Sequence, residues 1–547
     1  MKKQLNEHFY SRSSKDKMMF KKILGYILGN TPAQRFFRYY FFFILIGALL
    51  LFSPWALSQF SLDHGRANVF SDIFGRNEYA SGHYSFWDAL FTACSAFSDT
   101  GLNTVATRGT YSLFGQIIIM LLIQFGGFGA MTMRILIWKL LRREFDLKNQ
   151  ILLQAERGRS KLGGTTNMIF KSAIIMLIAE GIGTTFLSIN FFVANNNIKD
   201  FNDHFGVAFF AAMFMAISAI NNAGFDVIGG SSAVPLHGDY LAQLILLSLL
   251  VLGGIGFPIV YEISLKIKGW FTKNKHNYSL FAKISLWMYF IVMFTGLATN
   301  FLAESLIPGG ILTHTWSGAN GVAVNKTCTT VTPGCNPNDV SDTVFYTPFQ
   351  RGFAIFFNSL SCRSAGFASI PMSNFTEFTR VIFSILMIIG CSPSSTGGGI
   401  RTTTLAVCFL FVWSKIRGHK QIRAGKKAIS HDVAITALLA FFISLFIVFL
   451  GALVVMSTAY EVNNNHLTGQ GGQVFSFTDT FFEASSAFGT VGLTNGLTPY
   501  LNPESLIAII LLMFIGQLGT NASILSFAKK ANKKNKTALP IEDITVG

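Results

Sequence analysis

Four short stretches hold the residues from which chemistry is most readily built: Ser98-Asp99-Thr100-Gly101, Asn221-Asn222-Ala223-Gly224, Arg363-Ser364-Ala365-Gly366 and Gly489-Thr490-Val491-Gly492. Aligned on their last glycines, all four have Phe ten residues earlier: Phe91, Phe214, Phe356 and Phe482. Six residues earlier stand Ser95, Ser218, Leu360 and Ser486, and five residues earlier Ala96, Ala219, Ser361 and Ala487. Directly after each glycine comes Leu102, Phe225, Phe367 or Leu493. None of these sets pairs a nucleophile with a base. What they share is backbone freedom, because glycine reaches φ > 0 without a Cβ clash and can aim successive carbonyls at one point. A ring of carbonyl oxygens can replace the water shell of a monovalent cation. Close helix packing is the other common use of glycine in membranes. It suits "LIQFGGFGAM" (122–131) and "LLVLGGIGFP" (249–258), whose glycines sit inside apolar runs. No strand–turn–helix surrounds those runs, so they do not read as dinucleotide loops.

Irregular backbone at membrane depth is tolerated only where protein or a water-filled cavity surrounds it. The surrounding elements therefore decide what the turns are for. Of 547 residues, 51% are hydrophobic and 13% charged, and 56 are Phe. That balance belongs to polytopic membrane proteins. Stretches of the ~20 apolar residues that cross a bilayer fall near 36–57, 114–138, 168–194, 239–265, 283–306, 431–457 and 503–527. One more, near 377–414, is interrupted by "CSPSSTGGGIRTTT". Segments near 86–97, 207–220, 349–361 and 478–488 are too short to span, and each leads into one of the four turns. The C-terminal, negative ends of these short helices would favour cations.

Lys and Arg concentrate in 139–161, 266–283, 415–427 and 529–536, and are sparse in the intervening loops. The positive-inside rule makes the first group and both termini cytoplasmic. The formal charge of +16 is spent on this topology; no basic patch with interleaved aromatics lies away from the spans, which excludes nucleic acid. The expected fold class is an all-α polytopic membrane protein. It has four membrane–pore-loop–membrane repeats in pseudo-fourfold arrangement, with eight transmembrane helices plus four re-entrant pore helices. The repeats fall at 36–141, 168–268, 279–416 and 431–528. A cytoplasmic arm (1–35), cytoplasmic loops (142–167 and 417–430) and a cytoplasmic tail (529–547) flank them. The third repeat carries an extracytoplasmic insert (303–347) and an intramembrane loop (391–402). The basic lead from Met1 to Arg38 lacks a signal-peptide cleavage site. Cys328 and Cys335, inside the insert, are the one close cysteine pair and form a disulfide candidate if the insert lies outside.

Proline and three consecutive glycines break the sixth span, a penalty of ~3 kcal/mol for the proline and up to ~1 for each glycine in a helix. The break reads as a loop within the membrane rather than a kinked helix. No Lys-Ser/Thr follows the glycines, so it is not a phosphate loop.

At these residues a family likeness emerges. Through "AFGTVGL" (487–493), "RSAGF" (363–367), "LGGIGFP" (252–258) and "STGGGIRTTT" (395–404), the chain resembles the Trk/Ktr/HKT superfamily of potassium transporters. It is most similar to the membrane, pore-forming subunit of Ktr-type uptake systems, over about residues 36 to 528. The resemblance implies potassium uptake across the plasma membrane through one central filter. Its carbonyls would come from Ser98, Asp99, Thr100 and Gly101; Asn221, Asn222, Ala223 and Gly224; Arg363, Ser364, Ala365 and Gly366; and Gly489, Thr490, Val491 and Gly492. It implies a gate at Thr396, Gly397, Gly398 and Gly399, with Arg401 and Gln517 beside it. It implies no cofactor beyond K+ itself as the transported ion, with Na+ as a candidate activator. It further implies a homodimer in the lipid bilayer resting on a cytosolic ring of nucleotide-binding regulatory subunits. Loops 139–161 and 415–427 are candidate docking surfaces, or equally serve topology and contact with anionic lipid. A Na+-permeable or weakly selective transporter of the same fold is the alternative. A membrane-embedded enzyme is not expected, since no nucleophile–base pair or metal cluster is present.

Several residues depart from the pattern or stand outside it. Asp99 replaces the expected small polar residue, and its carboxylate either adds negative charge at the outer mouth or caps the local turn. Gln517, in "LLMFIGQLGTNASIL" (511–525), stands where the family relatives carry arginine below the filter. That leaves a looser gate or one dependent on Arg401. Glu180, in mid-span, either lines a crevice or pairs internally, whereas Glu262 reads as a residue of the cytoplasmic end.

Overall fold

The computed structural model describes residues 32–58, 84–129, 132, 165–193, 204–228, 232–272, 277–308, 310–312, 322–324, 344–419, 421–425, 427–464 and 475–519. The arm up to residue 31, the loop expected to be cytoplasmic up to residue 164, the Cys328 and Cys335 pair with most of its insert, and the tail lie outside the described residues.

Besides the single turn Thr107–Thr110, the α-helices among the described residues are, in chain order, α1 (Pro32–Leu51), α2 (Phe86–Phe97), α3 (Leu113–Phe128), α4 (Thr165–Val193), α5 (Phe205–Ile220), α6 (Tyr240–Ile255) and α7 (Phe257–Thr272). They continue with α8 (Leu280–Leu306), α9 (Pro348–Ser361), α10 (Glu377–Ile388), α11 (Thr402–Ile416), α12 (His431–Asn464), α13 (Phe477–Gly489) and α14 (Pro503–Leu518). Two three-residue antiparallel hairpins are the only sheets among the described residues.

Among the described residues, α4, α8 and α12 are long and apolar enough to cross a membrane, and the bent pair α6–α7 would make a fourth. The span expected at 239–265 is therefore not continuous. It bends by 105° between Ile255 and Phe257. Gly256 makes the corner at φ 93°, and a Cβ there would lie 3.0 Å from the Pro393 carbonyl. Only glycine serves at that corner.

Large apolar side chains point outward along the long helices: Phe186 is 60% exposed, Phe442 63% and Trp287 71%. The centre holds Ser95, Asp99, Asn222, Ser364 and Thr490, all buried. An apolar exterior around a polar axis suits lipid as the outer solvent, since polar groups in a bilayer face the protein interior. The chain is a predominantly helical, polytopic membrane protein.

Three of the four short helices start with a reciprocal capping box, which satisfies two orphan amides at once. In α2, Asp88 N donates to Ser85 Oγ at 3.4 Å and Ser85 N to Asp88 Oδ2 at 2.9 Å. In α9 the partners are Thr347 and Gln350, and in α13 they are Ser476 and Asp479. Asp88 and Asp479 accordingly stand at the same distance before Gly101 and Gly492. The helices then lean on one another in cyclic order: α3 on α5, α6 on α9, α10 on α13, and α14 back on α2. The last of the described helices thus closes onto the first short helix.

Candidate functional site

The turns owe their shape to hydrogen bonds made by their own short helices. After α2, Asp99 N donates to Ala96 O at 3.3 Å and Thr100 N to Ser95 O at 2.9 Å. After α5, Asn222 N donates to Ala219 O and Ala223 N to Ser218 O; after α13, Thr490 N donates to Ala487 O and Val491 N to Ser486 O. This pair of bonds is the Schellman closure, which requires a left-handed residue just past the helix. The left-handed residues are Asp99 (φ 52°), Asn222 (φ 58°) and Thr490 (φ 48°). In the third turn, where Leu360 replaces the serine, Ala365 N bonds Ser361 O instead, yet Ser364 is still left-handed at φ 85°. The last glycine of each turn also has positive φ: 91° at Gly101, 69° at Gly224, 70° at Gly366 and 93° at Gly492. Each turn therefore has a left-handed residue, a residue of ordinary φ and a left-handed glycine. That alternation turns successive carbonyls to one side rather than to alternate sides.

These glycines stand at the point where the turns meet. A Cβ on Gly101 would lie 2.3 Å from Ala223 O, one on Gly224 2.9 Å from Ala365 O, one on Gly366 2.0 Å from Val491 O, and one on Gly492 2.2 Å from Thr100 O. Each turn abuts the carbonyl of the next, and the fourth abuts that of the first. All four sequence-predicted stretches are thus brought together in a closed ring around one point.

Groups behind the ring hold it. The Gly101 amide donates to Ser95 Oγ and the Gly492 amide to Ser486 Oγ, each at 3.0 Å. These bonds pull the amides outward and account for the serines six residues before the glycines. Asn221 and Arg363 contribute backbone to the turns while their side chains point away. Asn221 Nδ2 donates to Gln124 Oε1 at 2.8 Å, and Gln124 Nε2 to Glu180 Oε2 at 3.1 Å. Glu180 is thus paired internally, the second of its two expected roles. The buried Arg363 guanidinium donates to Gly390 O at 2.8 Å and lies over the Tyr289 ring, 5.2 Å from its centroid. On the far side of α13, buried Glu483 accepts from the Thr494 hydroxyl, from Asn495 N at 3.1 Å and from the Thr498 hydroxyl at 2.8 Å. It thereby fastens the segment that leaves the fourth turn. Buried Asp479 accepts from Arg380 of α10 and from Asn495 Nδ2 at 3.1 Å. Glu262 accepts from Ser279 N and Oγ, at 2.9 and 2.7 Å, and caps α8 from α7.

The loop between α10 and α11 lies against the feet of the turns. Gly398 N donates to Thr490 Oγ1 at 2.7 Å, Thr396 Oγ1 to Asn222 Oδ1 at 3.3 Å, and Gly399 N to Gly516 O at 3.2 Å. A Cβ on Gly397 would lie 2.1 Å from Ser364 Oγ. Arg401 ties the loop down from below, donating to Gly397 O, to Ser395 Oγ at 3.5 Å and to Gln517 O at 3.0 Å. The residues expected at the gate, Thr396 to Gly399 with Arg401 and Gln517, are therefore contiguous. Asp99 requires a correction. Its carboxylate is not at the outer mouth: it is buried and accepts from Gln517 Nε2 at 3.2 Å, on the last turn of α14. Its backbone, in the left-handed position, shapes the turn, and its side chain is directed by a partner 418 residues away.

Gly126 and Gly253 serve the close packing expected of the glycines in 122–131 and 249–258. Two features escaped the sequence reading: the recurrence of that glycine at Gly516 with the helix ends that follow, and Ser232. Gly126, Gly253 and Gly516 each let a short-helix carbonyl approach, with a Cβ 2.1 Å from Phe97 O, 2.1 Å from Ile220 O and 1.9 Å from Phe488 O. Three residues on, Gly129, Gly256 and Gly519 have positive φ and end the helix. A Gly-x-x-Gly recurring at "GGFG", "GGIG" and "GQLG" was the available signal. The other is Ser232, left-handed at φ 58°, whose hydroxyl donates to Gly366 O at 3.4 Å and accepts from Ala368 N at 2.9 Å. It braces the third turn from the segment after the second, and its residue type alone carried no sign of this.

A helical membrane fold whose glycine turns converge on a polar axis defines a protein built to conduct something small across a bilayer. The chain belongs to the TrkH family, whose model is described as cation transport protein and matches residues 32–537. It is 36% identical over 575 residues to the uncharacterized cation transporter MG322 of Mycoplasma genitalium, spanning 95% of this chain and 98% of that one. It is 31% identical over 501 residues to Ktr system potassium uptake protein B of Bacillus subtilis, spanning 91% and 93% respectively. The crystal structure of the potassium transporter TrkH from Vibrio parahaemolyticus is similar in fold, with a TM-score of 0.54 at 14% identity, over 82% of this chain and 79% of that chain. The family is one of transporters, not enzymes.

Proposed function

We propose that this chain takes up K+ across the plasma membrane through a filter of backbone carbonyls, closed from below by the loop 391–402. The observation that carries the reading is the closed ring, in which each turn's glycine faces the next turn's carbonyl. Carbonyl dipoles replace a hydration shell only where several converge without side chains between them. The name of the Bacillus relative, a potassium uptake protein, supports K+ as the cargo.

In this reading the chain folds as four membrane–pore–membrane repeats, with eight crossings and four pore helices, α2, α5, α9 and α13. The cyclic contacts between these helices and their neighbours support that count. Both termini are cytoplasmic, by the distribution of Lys and Arg. The filter comprises the sixteen residues of the four turns, and Thr396 to Gly399 form the constriction, braced by Arg401 and Gln517. The protein works as a homodimer on a cytosolic, nucleotide-binding regulatory ring, as the resemblance to Ktr-type systems implies.

Expression in a bacterial host lacking its own K+ uptake systems tests the function. Growth at low external K+ is the expected result. Failure to grow, with Na+ entering the cells, would sink the K+ assignment.

A further inference from the structure

We propose that Thr490 is a positioning residue that docks the intramembrane loop onto the foot of the fourth turn, so that the closed gate and the filter hold each other's conformation. The inference rests on the filter and gate reading above. Thr490 is fully buried and left-handed at φ 48°. A β-branched residue in that region is a genuine outlier. Such a conformation persists only where the surroundings over-determine it.

The surroundings are specific. From above, the Schellman bonds of α13 hold the backbone of Thr490 and Val491. From below, the Gly398 amide donates to Thr490 Oγ1 at 2.7 Å. The fit is close: a Cβ on residue 398 would lie 2.6 Å from Thr490 Cγ2, 2.7 Å from Oγ1 and 3.1 Å from the Gly516 carbonyl carbon. Glycine at 398 is therefore matched to threonine at 490. The neighbouring amide, Gly399 N, bonds Gly516 O at 3.2 Å, so the loop's main chain is anchored at consecutive residues. The equivalent residues of the other turns make different contacts. Asn222 accepts from the Thr396 hydroxyl, Ser364 donates to Gly489 O and Thr490 O, and Asp99 accepts from Gln517. The Thr490 side chain takes a main-chain amide of the loop. Withdrawing the loop from the axis breaks that bond and leaves the left-handed threonine without its lower support.

The test is Rb+ uptake into proteoliposomes holding the purified full chain. Thr490→Val keeps the shape and the branching and removes only the acceptor. Loss of one neutral hydrogen bond should raise the open-loop population, and Rb+ uptake with it, by about fivefold. Thr490→Ser, which restores the hydroxyl, should raise uptake by less than the valine variant does. In a background lacking residues 394–399 the valine substitution should add nothing, as expected when both changes remove the same contact. If the deletion raises uptake and T490V does not, or T490S matches T490V, the proposal is overturned. If the deletion itself changes nothing, the gate reading has failed instead. Should T490V not fold, Thr490→Ala, which also lacks the hydroxyl, is judged by the same criteria.

Discussion

Gly101→Ser lowers discrimination between K+ and Na+ by tenfold or more. The reason is geometric. At φ 91° any L side chain is strained, and a Cβ would lie 2.3 Å from Ala223 O and 3.0 Å from both Gly224 Cα and its carbonyl carbon. The left-handed penalty alone is roughly 1–2 kcal/mol, and the overlap forces the second turn's carbonyl off the ring. A tenfold loss needs a difference of only about 1.4 kcal/mol between the two ions, well within reach of such a displacement. The ratio is read from the competition of Na+ against Rb+ uptake in proteoliposomes. An unchanged ratio in folded protein would count against a filter role for that turn. Because Gly224, Gly366 and Gly492 stand in the same relation to their neighbours, equivalent substitutions should act in the same direction.

Deleting residues 394–399 raises flux, by an order of magnitude or more. The segment brings three of its own hydrogen bonds to the feet of the turns and to α14, from Gly398 to Thr490, Thr396 to Asn222 and Gly399 to Gly516. It also supplies the carbonyl of Gly397 that Arg401 grips. At about 1 kcal/mol net for each neutral bond, the closed position is favoured by enough for its removal to be plain in initial rates. Flux that is unaltered, or abolished in a chain that still folds, would remove the gate assignment. With Gln517 in place of arginine, Arg401 would supply the positive charge beneath the turns in this reading. It reaches both the loop and the Gln517 carbonyl, and so links the loop to α14.

Much of this was legible in the chain because its determinants are local. The turns announce themselves by register, since in three of them a Schellman closure ties the two residues before the glycine to the alanine and serine five and six positions ahead of it. The helix starts were equally readable, as Asp88 and Asp479 sit three residues after their capping serines. What could not be read is what tertiary partners decide. Asp99, Asn222, Ser364 and Thr490 share one backbone conformation but no residue type, so nothing in their identities marked them as equivalent. The direction of the Asp99 carboxylate depends on Gln517, far away in sequence. The break at Gly256 was masked by an apolar run that continues through it, although its glycine spacing recurs in α3 and α14.

The central claim is that the four turns together hold a dehydrated monovalent cation. Anomalous diffraction from crystals of the protein grown in Rb+ tests it most directly. The expected result is Rb+ density on the axis, ringed by the carbonyls of Thr100, Ala223, Ala365 and Val491, and lost when Na+ replaces Rb+. Density that is absent from that ring while present elsewhere in the protein, or that persists unchanged in Na+ alone, would contradict the account.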